Sequence, residues 1–128
     1  MSKQLTDTQI NAFNAMPAEQ RFDIFIDSII ENESIWGLFS KDGWVIISGD
    51  EDDEYLPVWS HEELASLWAS GAKSDSQATP IDLEDWQGEW LPGMIKNGLL
   101  IAVSPNKDGD SITLGAEELL ADIQKANK

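Results

Sequence analysis

Cysteine is absent from this chain, basic residues are scarce, histidine occurs once, and no apolar run is long. Each shortage removes a class of chemistry. Without cysteine there are no disulfides and no thiolate metal sites, and an oxidising compartment offers the fold nothing. Eight Lys and Arg stand against 24 Asp and Glu, a formal charge of −16. A field of that sign repels phosphate backbones and anionic lipid surfaces, so neither nucleic acid nor a membrane is an expected partner. The longest uninterrupted apolar run is Leu99 to Val103, far short of a membrane span, and the opening MSKQLTDTQINAF lacks the apolar core of a signal peptide. The expected location is the cytoplasm.

The single histidine restricts catalysis as well. A general base must be His61 or a carboxylate, and any Ser-His-Asp arrangement must be built around His61. His61 falls at the start of a predicted helix, where the helix dipole disfavours the protonated imidazole and side chains usually face solvent. There is no G-x-S-x-G elbow, no P-loop and no G-x-G-x-x-G. No catalytic residue, cofactor or metal ligand is therefore assigned.

What is present is apolar and aromatic. With 128 residues, 41% of them hydrophobic, including six tryptophans and four phenylalanines, the chain has the large side chains that disordered sequences lack. A single domain of this length buries roughly two thirds of the surface its unfolded form exposes. Residues 17–126 read as its core and residues 1–16 as a peripheral helix.

Along the chain, Thr6 and Gln9 fit a capping box, and Ile10, Phe13 and Met16 give a short helix that must dock or fray. Pro17 opens the clearest helix, in which Phe22, Phe25, Ile26, Ile29 and Ile30 form one apolar stripe. Gln20, Asp23, Asp27 and Glu31 lie opposite, and Ile24 widens the buried side. Ile35–Phe39 and Trp44–Ile47 flank Lys41-Asp42-Gly43, a turn sequence, so a hairpin apolar on both faces is expected. An acidic loop leads to Tyr55–Trp59, which Pro57 places at a sheet edge or beside a bulge because proline cannot donate to the ladder. Ser60 and Glu63 fit a second capping box before the helical face Leu64, Leu67 and Trp68, which Gly71 ends. Ala72–Thr79 reads as a loop. Asp82 is the expected N-cap of a helix bearing Leu83, Trp86, Trp90 and Met94, with Gly88 and Pro92 predicting a kink or a split near Leu91. Gly98 caps it, Leu99–Val103 and Ile112–Leu114 pair as strands, and a last helix from Ala116 uses Leu119, Leu120 and Ile123. Hairpins interspersed with helices predict an α+β fold: one largely antiparallel sheet of about five short strands packed with four to five helices.

Two acidic segments resemble cation sites. Asp50 to Glu54 concentrates oxygen ligands, but consecutive carboxylates diverge and read as a solvated loop. Asn106, Asp108, Asp110 and Glu117 fall at calcium-loop positions, yet Ser111 replaces the required glycine and the preceding segment is strand-like, so a β-turn is expected instead. Among the tryptophans, Trp36, Trp44, Trp68, Trp86 and Trp90 fall on predicted core faces. Trp59, at the end of an edge strand, is expected to be partly exposed.

Trp36-Gly37-Leu38, Gly43-Trp44, Leu56-Pro57-Val58-Trp59-Ser60-His61, Glu63-Leu64-Ala65 and Ile81-Asp82-Leu83 occur in order. Trp90-Leu91-Pro92-Gly93 and Gly98-Leu99-Leu100-Ile101-Ala102-Val103 follow them. This pattern resembles the DUF2750 family of small bacterial proteins of unknown function, from about residue 20 to residue 123. The resemblance implies a bacterial cytosolic α+β domain and brings no ligand or catalytic residue with it.

The leading expectation is a non-enzymatic interaction module. Its surface would be Trp36, Tyr55, Pro57, Trp59 and His61, with an edge strand offering main-chain hydrogen bonds to a partner protein or to a second copy of the chain. The acidity suggests a basic partner, as in immunity-like or antitoxin-like proteins. The competing expectation is a small hydrolase or metal-dependent enzyme using His61 with carboxylates of the acidic loop.

Overall fold

The computed structural model describes residues 6–41, 43–48, 53–72, 76–105 and 111–126. The elements in order are α1 (Asp7–Ala15), α2 (Ala18–Asn32), β1 (Ser34–Ser40), β2 (Gly43–Trp44), β3 (Ile47–Ser48), β4 (Glu54–Val58), α3 (Glu62–Ala72) and β5 (Gln77–Asp82). Then come α4 (Leu83–Asp85), a π-helical turn (Trp86–Trp90), α5 (Leu91–Asn97), β6 (Leu100–Val103), β7 (Ile112–Gly115) and α6 (Ala116–Ala126). The fold is α+β.

The sheet layout differs from a single antiparallel sheet. Strands β2-β1-β5 form one small sheet and β3-β4-β6-β7 another. Every pairing is antiparallel except β4 with β6, which run parallel with Tyr55 opposite Leu100 and Val58 opposite Val103. The two sheets meet at an antiparallel bridge between Trp36 and Trp59.

Beta1 has an apolar residue at nearly every position because both its faces are covered. Ile35 joins a cluster with Phe25, Ile29, Leu56, Val58, Trp86, Leu91, Ile101, Leu119 and Ile123, into which α2, α5 and α6 pack. Leu38 faces the other way, into a cluster with Phe13, Val45, Trp59, Leu64, Ala65 and Ala69, which α1 and α3 cover. Helix α2 serves both: its stripe enters the first cluster and Ile24 packs against the second. Helix α1 is docked through Ile10, Phe13 and Met16, and both hydrogen bonds of the Thr6/Gln9 capping box are formed. Arg21, which the apolar stripe gave no reason to notice, is 1% exposed and its Nη1 donates to the Met16 carbonyl at 2.6 Å. A charged donor thus holds the turn between α1 and α2.

Ala72–Thr79 is not all loop. Gln77–Asp82 pairs with β1 from Ser34↔Asp82 to Phe39↔Gln77. This strand is the outer edge of its sheet, and Pro80 suits it there. Trp36, opposite Pro80, spends its main-chain N–H and C=O on Trp59, so Trp36↔Pro80 is a non-hydrogen-bonded pair and the position without an N–H faces outward. Asp82 then caps α4, its carboxylate accepting from the Glu84 N–H at 3.3 Å. Where a kink or a split is expected near Leu91, a π-turn ends and α5 begins: the Leu91 N–H reaches the Trp86 carbonyl, and Pro92 follows at the start of α5. Gly98 ends α5 at φ 71°, a left-handed cap.

Candidate functional site

The stretch from Tyr55 to His61 is more deeply built into the fold than an edge strand would be. Beta4 lies between β3 and β6, with Trp36 bonded to its end. Pro57 is tolerated inside the sheet because successive strand residues alternate the side to which their backbone groups point. Trp59 bonds toward Trp36, so Pro57, two residues earlier, faces the same side, in the gap between the end of β3 and Trp36. The missing donor costs no ladder bond.

Trp59 is correspondingly a core residue rather than a contact residue. It is 1% exposed, its N–H and carbonyl each bond Trp36 at 2.8 Å, and its indole Nε1 donates to the Pro105 carbonyl at 3.0 Å. Its ring leans on Trp68 with centroids 5.4 Å apart. Pro57 is also buried, while Trp36, Tyr55 and His61 keep part of their surface. Of the sequence-predicted patch, Trp36 and Trp59 are in direct main-chain contact. Leu67, expected on the buried face of α3, is 44% exposed, because Leu64, Ala65 and Ala69 fill that face.

Ser60 and His61 lead into α3. The helix starts at Glu62, and the Ala65 N–H closes onto the His61 carbonyl. The Ser60 hydroxyl and His61 Nδ1 are 2.8 Å apart. Burial lowers the imidazole pKa below its ordinary 6.5, against the opposing pull of the Glu63 and Glu31 carboxylates. His61 is therefore mostly neutral at pH 7. Ser60 is wholly buried, which denies its hydroxyl the access a nucleophile needs. Of the acidic loop, Asp50, Glu51 and Asp52 lie outside the described residues, and Asp53 and Glu54 are exposed. Residues 106–110 of the calcium-loop look-alike also lie outside them, and its Glu117 is exposed in α6. Among the described residues, no three His, Asp or Glu side chains gather as a metal site would require.

A different surface stands out. Phe39, at the end of β1, is 44% exposed. From it a series of rings descends into the core: Phe39 to Trp44 at 5.1 Å and 75°, Trp44 to Trp90 at 4.8 Å and 86°, Trp90 to Trp86 at 5.7 Å and 31°. Trp86 is fully buried, whereas Trp44 and Trp90 are partly exposed. Edge-to-face rings at these separations attract through their quadrupoles as well as through buried area. Gly37 makes room for the series, since a Cβ there would lie 3.2 Å from Trp44 Cζ3. The hairpin register, which sets Phe39 opposite Trp44, was the available sequence signal for this surface. Trp90 could not be placed from it. Glu84, Asp85 and Glu89, on the segment that carries Trp86 and Trp90, are exposed, and Leu83 to Trp90 contains no Lys or Arg.

A family model described as a protein of unknown function, DUF2750, matches residues 22–123. The chain belongs to the DUF2750 family. No curated protein matches it. The DUF2750 region takes in β1 to β7, the Trp36–Trp59 bridge and the four rings of the series, and leaves α1 outside. No helix among the described residues is long and apolar enough to cross a membrane.

Proposed function

We propose that this DUF2750 protein is a non-enzymatic interaction module that meets a protein partner through the aromatic face formed by Phe39, Trp44 and Trp90. The observation that carries this reading is the 44% exposure of Phe39 at the head of a ring series anchored in the core. Such a surface is stiff: the rings are held by one another and by Gly37, so little conformational freedom is lost on contact. Rigid aromatic side chains with a desolvated base are the residue types that dominate protein interfaces. Contact at this face is preferred to strand addition at β4, the mode that Pro57 first suggested, because β3, β6 and Trp36 flank that strand and leave only the short gap at Pro57. The alternative, a hydrolase or metal-dependent enzyme using His61 with acidic-loop carboxylates, has less behind it: of that loop the described residues include only the exposed Asp53 and Glu54.

The test is affinity capture from the native cytosol with quantitative mass spectrometry, comparing the parent chain, Phe39→Ser and Ile95→Ser. Ile95 is similarly exposed, at 43%, on α5. A partner kept by the parent and by Ile95→Ser but lost by Phe39→Ser is the expected result. Identical protein sets from all three would remove the aromatic face as the contact.

A further inference from the structure

We infer that the side chain received by this face is an arginine of the partner, an inference that rests on the reading of Phe39, Trp44 and Trp90 as a contact surface. Two observations support it. The first is charge: the chain carries −16, and exposed Glu84, Asp85 and Glu89 on the segment bearing Trp86 and Trp90 outnumber the one exposed cation of the Phe39–Trp44 hairpin, Lys41. A cation approaching these rings is drawn by the field and by the aromatic quadrupole together.

The second is ring geometry. Trp44 stands at 75° to Phe39 and at 86° to Trp90. A flat group lying on one ring turns its edge toward the neighbouring ring. Guanidinium is flat, weakly hydrated and rimmed with N–H donors, so it stacks on one aromatic face while its positive edge meets the next or a carboxylate. Ammonium is compact and strongly hydrated and gains less from the same surface. An uncharged side chain would be indifferent to the negative field of the chain.

Three seven-residue peptides alternating glycine with arginine, lysine or citrulline separate these terms, because citrulline keeps the planar shape and lacks the charge. Binding is followed by tryptophan fluorescence in 150 mM salt, a concentration that shortens the reach of general electrostatics to about 8 Å. The expected result is at least fivefold tighter binding of the arginine peptide than of either other peptide. Phe39→Ala should abolish that preference, with an unchanged circular dichroism spectrum showing that the variant is folded. Equal affinity for arginine and lysine, untouched by Phe39→Ala, would reduce the effect to bulk charge and overturn the inference. If Phe39→Ala weakened all three peptides equally, the arginine assignment would fail while the contact surface stood.

Discussion

Trp36 and Trp59 exchange two main-chain hydrogen bonds of 2.8 Å, and this bridge joins the β2-β1-β5 sheet to the β3-β4-β6-β7 sheet. It also decides which tryptophans are available for contact. Trp59, bonded to Trp36 through its backbone and to Pro105 through its indole, is 1% exposed. The exposed aromatic surface is displaced to the far end of β1, at Phe39.

Gly37→Ala tests the packing of the ring series. The new methyl would press on Trp44 at 3.2 Å, and Trp44 is itself held between Phe39 and Trp90. Overpacking of this kind costs typically 1 to 3 kcal/mol, and a half-exposed ring can give way, so a loss of about 1 kcal/mol is expected. Urea denaturation measures it, and near-ultraviolet circular dichroism should change as the Trp44 ring tilts. An unchanged midpoint and spectrum would show that the ring series is loosely held.

Pro80→Val tests protection of the outer edge. The substitution restores an N–H on the free side of β5, where an edge can template pairing with a second copy. Sedimentation velocity should show greater self-association than the parent at equal concentration. Unaltered sedimentation would mean that Pro80 does not guard this edge.

His61 sets a pH dependence whose sign follows from burial. The folded state resists protonation and the unfolded state takes up its proton near pH 6.5, so the contribution to stability is complete above that value. It is lost as pH falls from there toward the lower folded-state pKa. Denaturation midpoints at pH 7.5 and 5.5 should therefore differ more for the parent than for His61→Gln, where only the other groups titrate. Parallel pH profiles would contradict the burial of the imidazole.

The elements that local chemistry dictates were legible in the sequence. Thr6 with Gln9, the Phe22 to Ile30 stripe, the Asp82 and Gly98 caps and the β6–β7 pair all rest on residues within a turn or two of one another. Strand β5 was not legible. In Gln77–Asp82 only Thr79 and Ile81 favour a strand, and the pairing that makes it one comes from β1, far upstream. Pro57 misled for a related reason: a missing N–H marks an edge only when the side it faces would otherwise be paired, and here that side is a gap between two partners. The candidate site was half legible. A hairpin register sets Phe39 against Trp44, but the arrival of Trp90 beside them depends on how α4 and the π-turn pack against the sheet.

The central claim, that Phe39 makes contacts and Trp59 makes structure, is tested most directly by measuring stability and partner capture together for Phe39→Ser and Trp59→Phe. Phe39→Ser should cost about 0.5 to 1.5 kcal/mol, the worth of its edge-to-face contact with Trp44, and lose the captured partner. Trp59→Phe removes the donor to the buried Pro105 carbonyl, which should cost about 1 to 3 kcal/mol, and should keep the partner. The opposite pattern, a stable Trp59→Phe that no longer binds beside a destabilised Phe39→Ser that still does, would contradict the account.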